Sequence, residues 1–347
     1  MRKELKFFSR LVEANFKKEI KPYKLIFALT YRCNSRCKIC NIWKKKSQNE
    51  LTRDEISRIL DKYNDFYWVS LTGGEIFLRK DIVEIASTII KKCKNLAVIN
   101  IPTNGLMPKW IELETRRILE LNPNRLIISV SLNGTPESDV RIRGITRGFE
   151  KAVRTFELLK GINDNRLNVF FEFVISKENS DELINTINAV KKRLPYVKAE
   201  DFSIGIVNSS KHYYGKKNEK LNHTAMYEIR KFMEILPIRP NPFSIIAREY
   251  LKECNDYIMN GKVKRVCTSI KDSVFIDPFG NVYPCIIFNK KLGNLRIEEY
   301  DLESILSSKK SKDAFAKIKM RQCPGCWTPC EAYTTILSSN IHGGAWR

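Results

Sequence analysis

Hydrophobic residues in this chain come in short blocks whose period keeps changing. The apolar run Leu25-Ile26-Phe27-Ala28-Leu29-Thr30 reads as a first strand. Thr52-Arg53-Asp54-Glu55 is a capping box, in which hydroxyl and carboxylate each satisfy the other's backbone N–H, and it predicts a helix to about Asn64. Further strands are predicted over Phe66–Leu71, Leu96–Ile101, Arg125–Leu132, Asn168–Ile175 and about 200–207. Helices are predicted near 81–92, from Pro108, near 147–160, and from a cap at Asn179 or Ser180 to about Arg193. Six strand-then-helix units imply an α/β fold with parallel pairing and right-handed crossovers. Parallel pairing gathers the polar strand ends, Thr72-Gly73-Gly74-Glu75, Pro102-Thr103-Asn104-Gly105 and Asn133-Gly134, at one face.

The flanks read differently. Residues 1–22 form a basic amphipathic helix, with Leu5, Phe8, Leu11, Val12 and Phe16 near helical spacing. Its expected role is packing on the main body, with a membrane surface as the alternative. Lys211 to Asn222 reads as a polar, mobile loop, and the segment to 266 as a partly helical bridge. Asp277-Pro278-Phe279-Gly280-Asn281 is a hairpin turn that carries Cys285 back toward Cys267. The domains expected are therefore 1–22, 23–235 for the strand–helix repeat, and 236–347 for the bridge and a C-terminal module.

Composition narrows the class. The chain has 347 residues, 43% of them hydrophobic, enough for one large core and a smaller one. No apolar run is long enough to span a membrane and the N-terminus lacks a signal-peptide core, so a cytoplasmic protein is expected. Lys and Arg number 61 against 39 Asp and Glu, a net charge of +22 that favours anionic partners. No aromatic-interleaved RNA motif accompanies the charge, so nucleic acid is the lesser reading and an acidic electron carrier or a solvated basic face the better one.

Ten cysteines, eight of them clustered, read as metal ligands rather than disulfides in such a chain. Cys33, Cys37 and Cys40 stand at CxxxCxxC spacing directly after the first strand. A structural zinc takes four ligands, whereas a cubane iron–sulfur cluster held by three thiolates leaves one iron open. On spacing alone a zinc knuckle remains the alternative. Cys267, Cys285, Cys323, Cys326 and Cys330 form a second set, suited to a cluster or to a zinc ribbon, while Cys93 and Cys254 read as packed thiols. Glu172 interrupts the apolar strand Val169-Phe170-Phe171-Glu172-Phe173-Val174, where an unpaired carboxylate is costly to bury. Contact with a bound ligand and a basic neighbour are equal readings for it.

The first cysteine run, with Ile39 before its last cysteine, resembles the signature of the radical S-adenosylmethionine (SAM) superfamily. That resemblance implies a partial (β/α)6 TIM-like barrel whose open iron chelates SAM. One-electron reduction then yields a 5′-deoxyadenosyl radical that takes hydrogen from the substrate. Gly73, Gly74 and Glu75 match the family's GGE motif at the amino group of SAM, with Ile76 where a proline is usual. Asn104 belongs to its TNG segment. Ser129 and Ser131, in a segment resembling SxSLDG with Asn133 replacing aspartate, are expected at the ribose. Arg143, better aligned than Arg141, is expected at the SAM carboxylate. The second cysteine set resembles a SPASM/twitch domain, a small β-hairpin/helix module. It implies one auxiliary [4Fe–4S] cluster held by Cys267, Cys285, Cys323 and Cys326, with Cys330 as alternative fourth ligand or a spare. Gly343-Gly344 is followed by Ala345-Trp346-Arg347, which argues against the molybdopterin-precursor branch.

The expected activity is thus radical SAM chemistry on a small-molecule or lipid- or sugar-linked substrate, as a net oxidation aided by the auxiliary cluster. Flavodoxin or ferredoxin would be the electron donor. The alternatives are a peptide- or RNA-modifying radical enzyme and a non-catalytic iron–sulfur carrier. The small-molecule preference rests on residues 1–22 being too short for a peptide-recognition domain.

Overall fold

The computed structural model describes residues 2–16, 19–215, 220–240 and 242–340. Six β/α units run in order: β1 Lys24–Thr30, α2 Arg53–Lys62, β2 Trp68–Gly73, α3 Ile82–Lys92, β3 Val98–Thr103, α4 Pro108–Glu120, β4 Leu126–Ser131, α5 Pro136–Arg143, α6 Gly148–Lys160, β5 Leu167–Ile175, α7 Leu183–Arg193 and β6 Phe202–Ile206. Helix α1, Arg2–Phe16, precedes them. After them come α8 His223–Ile235, α9 Pro242–Asn260, β7 Ser273–Ile276, β8 Asn281–Tyr283, β9 Gly293–Asn294, α10 Leu302–Ser307, α11 Lys309–Lys319 and α12 Pro329–Asn340. The strands form one sheet ordered β6-β5-β4-β3-β2-β1-β7-β8-β9, parallel from β6 to β7 and antiparallel beyond. This is the partial barrel expected, extended by a C-terminal hairpin that joins its first strand.

Where the elements depart from expectation, register and polar burial explain it. Strands β2 and β3 start later than the apolar runs suggest, because Phe66, Leu96 and Ala97 are buried in the turns below the ladder. Helix α5 escapes a periodicity search because its buried face is Ser138, Asp139, Ile142 and Arg143. Asn179 does not cap α7. Its side chain accepts from the Ser176 N–H and hydroxyl and donates to the carbonyls of Asn133 and Val174, fastening the β5 turn to β4. In α1, Leu11 is buried with Tyr23 and Tyr67 while Phe8 is exposed, and the side chains of Leu5 and Phe16 lie outside the described residues. Gly343-Gly344 also lies outside them. Among the described residues no helix is long and apolar enough to cross a membrane.

Alternation along the strands sorts the barrel into a sealed outside and a wet inside. Val69, Leu71, Ile99, Ile101, Ile128, Val130, Phe171 and Phe173 are buried under the helices in one continuous core. The positions between them are Ser70, Thr72, Asn100, Ser129, Ser131, Glu172 and Ser203, most only half-buried. A row Ser131–Glu172–Ser203 crosses β4, β5 and β6 in register. A polar, partly exposed inner wall makes a lumen that can receive a ligand. Helix α12 closes the gap between the first and sixth strands: the Lys24 ammonium donates to the Cys330 carbonyl, and Pro329 packs on Gly205.

The C-terminal module is clamped to the barrel through Glu55. Its carboxylate receives the Arg296 guanidinium and the Tyr300 hydroxyl besides closing the capping box of α2. The Arg296 hydrogen bonds, followed in effect by the opposing cost of burial, leave Glu55 at about 2 against an ordinary 4.5. Because the folded value is the lower one, this stabilisation is complete above the ordinary carboxylate range and is lost as pH falls from about 4.5 to about 2. Glu55→Ala is expected to cost about 1–2 kcal/mol, screening by solvent included, and to flatten that acid limb in urea titrations.

Candidate active site

The loop after β1 carries Cys33, Cys37 and Cys40, all half-buried. Helix α5 shapes it. The Arg36 N–H donates to the Arg143 carbonyl at 3.1 Å, Lys38 N–H to the Ile142 carbonyl at 2.8 Å, and the Ser35 hydroxyl to the Arg143 carbonyl at 3.2 Å. Orphan carbonyls at a helix C-terminus thus hold the loop open in a curl. Donors also reach the sulfurs: Ser35 N–H lies 3.4 Å from Cys33 Sγ, and the Ser35 hydroxyl 3.1 Å from Cys37 Sγ. Burial pushes the Cys33 thiol up to about 11, an environment that carries a thiolate only with a cation present. Among the described residues no three Cys, His, Asp or Glu side chains converge as ligands of one ion. Three thiolates spread around a loop with amide donors on sulfur fit an iron–sulfur cluster better than a zinc, whose ligands all lie within about 2.3 Å of the metal.

The other strand ends close around this loop. Gly74 N–H donates to the Thr30 carbonyl at 2.7 Å and Glu75 N–H to the Arg32 carbonyl at 2.8 Å, laying β2 against the residues just before Cys33. Gly73 has φ +143°, and a Cβ on Gly74 would sit 2.1 Å from the Arg32 carbonyl oxygen, so two glycines are a steric requirement here. Glu75 is fully buried. Its carboxylate accepts from the Asn104 N–H at 2.7 Å, the Thr103 hydroxyl at 2.9 Å and the Phe77 N–H at 3.2 Å. Burial raises its pKa and these donors offset part of the rise. Asn104 in turn donates to Asn34 at 2.6 Å in the cysteine loop. Arg143 is also buried, donating to the Ser131 and Asn104 carbonyls and lying 3.6 Å from Asp139.

Glu75, Asn104, Ser131 and Arg143 therefore meet in one hydrogen-bonded belt beneath the cysteine loop. The Glu75 and Arg143 side chains hydrogen-bond inside that belt. Ser129 and Ser131 lie on the lumen side by strand alternation, while the Asn104 amide donates to Asn34 and accepts from the Leu106 N–H at 3.0 Å. Arg141 points away, to Glu182 and the Glu178 carbonyl on the outer surface. Asn133, in the aspartate position, accepts from the Val174 N–H at 3.0 Å and so crosslinks β4 to β5.

The second cysteine set lies beside β7 and β8. Cys267 Sγ accepts from the Ser269 N–H at 3.4 Å, and Cys285 Sγ from the Phe288 N–H at 3.2 Å and the Ile287 N–H at 3.4 Å. Burial dominates in raising the Cys267 and Cys285 thiols, with Glu331 and Cys326 adding to it. Cys326 stands within the influence of Cys323. Cys330 packs with Cys326 against the hydrophobic cluster that contains Cys285, and lies within the electrostatic influence of Lys24, Glu331 and Glu172. The turn Asp277–Asn281 holds as expected, its Asp277 carboxylate accepting from the Phe279 and Asn281 N–H groups at 2.9 Å each.

Residues 208–215 join the two cysteine sites, which the polarity of this stretch concealed. His212 reaches the Cys285 carbonyl at 3.1 Å, and Asn41 N–H, beside Cys40, donates to the Tyr214 carbonyl at 3.0 Å. Tyr213 is buried and hydrogen-bonds Thr72 at 2.9 Å. The expected mobile loop is therefore a packed strap over 211–215, and residues 216–219 lie outside the described residues. The clue in the sequence was aromatic: His212-Tyr213-Tyr214 inside a polar run.

Comparison with known proteins agrees with this geometry. The profile of the Radical SAM superfamily matches residues 27–190, and that of the SPASM iron–sulfur cluster-binding domain matches 267–327. The chain is 27% identical over 300 residues to the antilisterial bacteriocin subtilosin biosynthesis protein AlbA of Bacillus subtilis (strain 168), covering 83% of this chain and 60% of that protein. It is 30% identical over 168 residues to the Fe-coproporphyrin III synthase of Methanosarcina barkeri (strain Fusaro / DSM 804), covering 47% and 39%. The chain thus spans less than two thirds of either relative. Among solved structures, anSMEcpe with bound AdoMet and Kp18Cys peptide superposes with a TM-score of 0.60 at 16% identity, over 93% of this chain and 97% of that one. With the two profiles falling on the two cysteine sites, the chain carries a radical SAM superfamily domain in its barrel, followed by a SPASM iron–sulfur cluster-binding domain.

Proposed function

We propose that this enzyme modifies a peptide. The observation that carries the reading is the match to AlbA, a bacteriocin biosynthesis protein, which extends over 83% of this chain. The match to Fe-coproporphyrin III synthase, which favours the small-molecule reading, stops at 47%. The length of residues 1–22 decides nothing about substrate class, so the preference built on it is withdrawn. The fold also receives a peptide in anSMEcpe.

In this reading Cys33, Cys37 and Cys40 hold the SAM-binding cluster. Gly73 and Gly74 bring backbone to SAM, and Asn104, Ser129 and Ser131 offer it polar groups from the lumen wall. Glu75 and Arg143 position those groups rather than touch SAM themselves. Cys267, Cys285, Cys323 and Cys326 hold the auxiliary cluster, and Cys330 stays outside it. When bound, the first cluster and SAM supply the 5′-deoxyadenosyl radical that removes a hydrogen atom from the substrate. Residues 23–235 form the barrel domain and 236–347 the bridge and cluster domain, reduced by a flavodoxin or ferredoxin.

The test is anaerobic incubation of the reconstituted enzyme with SAM, dithionite and a pool of short cysteine-containing peptides. The expected result is peptide-dependent 5′-deoxyadenosine with loss of two hydrogens from a peptide mass. 5′-Deoxyadenosine formation that no peptide stimulates would overturn the reading.

A further inference from the structure

One acidic side chain on the lumen wall lies beside Cys330 but hydrogen-bonds to no cysteine among the described residues. Glu172 stands in mid-β5, between Ser131 and Ser203 of the neighbouring strands. Its flanking residues Phe171 and Phe173 face the helices and are fully buried, so alternation turns Glu172 inward, and it keeps partial exposure there. Among the described residues no hydrogen bond or ion pair engages its carboxylate, and burial alone accounts for its raised proton affinity.

The groups around it come from three elements: Tyr214 on the strap, Tyr250 on α9, and Tyr333 and Cys330 on α12. None of these is a cation. Tyr250 donates to the Trp327 carbonyl and Tyr333 is bonded to Ser203. A carboxylate held without a partner costs stability that an apolar residue at the same place would not. Such a cost persists where the group is used.

The other carboxylates near the lumen each have a partner that Glu172 lacks. Glu75 accepts three internal donors, Asp139 lies against Arg143, Asp277 organises its turn, and Glu331 accepts from Ser273, although among the described residues one oxygen each of Asp139 and Glu331 has no hydrogen bond. We infer that Glu172 is the group that takes a proton from the substrate. The inference rests on the peptide reading above.

One form of the two-hydrogen loss in that reading, the closing of a heteroatom–carbon bond, calls for such a group. Joining a peptide heteroatom X to a carbon converts X–H and C–H into X–C, which releases one hydrogen atom, one proton and one electron. The hydrogen atom leaves with the adenosyl group. The X–H bond breaks heterolytically, its proton forms an O–H bond on the Glu172 carboxylate, and its electron pair stays on X for the new bond. An iron–sulfur oxidant takes the remaining electron.

Glu172→Gln, which keeps the shape, and Glu172→Ala are assayed as reconstituted holoenzyme with the same peptide pool. Iron content and SAM affinity matching wild type are expected for both. Peptide kcat should fall about 100-fold in Glu172→Gln with little change in KM. Added formate should partly restore Glu172→Ala. Unchanged kcat in Glu172→Gln, a loss confined to KM, or a parallel loss of SAM affinity would each overturn this inference alone. A wild-type enzyme that modifies no peptide would overturn the peptide reading and this inference with it.

Discussion

Alanine at Cys33, Cys37 and Cys40 together is expected to abolish reductive cleavage of SAM while leaving the C-terminal iron in place. The wild-type chain, with two four-iron clusters, should bind about eight irons and the triple variant about four. The separation follows from how each site is built. The first set sits on one loop fastened by the last carbonyls of α5, and Ser35 of the same loop reaches the Cys33 and Cys37 sulfurs. Cys267 and Cys285 take their donors from their own turns, Ser269, Ile287 and Phe288. Iron counting and 5′-deoxyadenosine chromatography read the two sites independently. Residual cleavage, or loss of all iron, would contradict this arrangement.

Gly74→Ala is expected to be the most damaging single change outside the cysteines. Its Cβ would lie 2.1 Å from the Arg32 carbonyl oxygen and 2.6 Å from its carbon, and both are backbone atoms that no rotamer change can move. Relief requires shifting Arg32, and Cys33 follows it. A loss of about 3 kcal/mol or more in urea unfolding is expected, together with reduced iron at the first site. Gly261→Ala is the control. Gly261 has φ +66° but nothing within 4 Å of the place its Cβ would take, so backbone strain alone should cost it about 1 kcal/mol with iron unchanged. Equal effects at both glycines would show that conformation, and not crowding against the cysteine loop, governs Gly74.

The repeat of strand and helix, the three-cysteine spacing and the strand-end motifs are all legible along the chain. These are local signals: an apolar period of two or of 3.6, a capping box, cysteines at fixed spacing. The Thr52–Glu55 capping box forms with both of its hydrogen bonds. The tertiary structure decided what each polar group is free to do. Glu75 and Arg143 are legible as motif residues, but their hydrogen bonds to the Asn104 N–H, the Thr103 hydroxyl and strand-end carbonyls far away in sequence are not. Helix α5 was illegible because its buried face is polar, and a polar face is stabilised only by partners supplied in three dimensions. The same holds for the strap at His212–Tyr214, for α12 closing the barrel, and for Glu172, whose isolation is a property of its surroundings and of nothing in the residues beside it. Periodicity shows which way a side chain points; only packing shows what, if anything, it meets there.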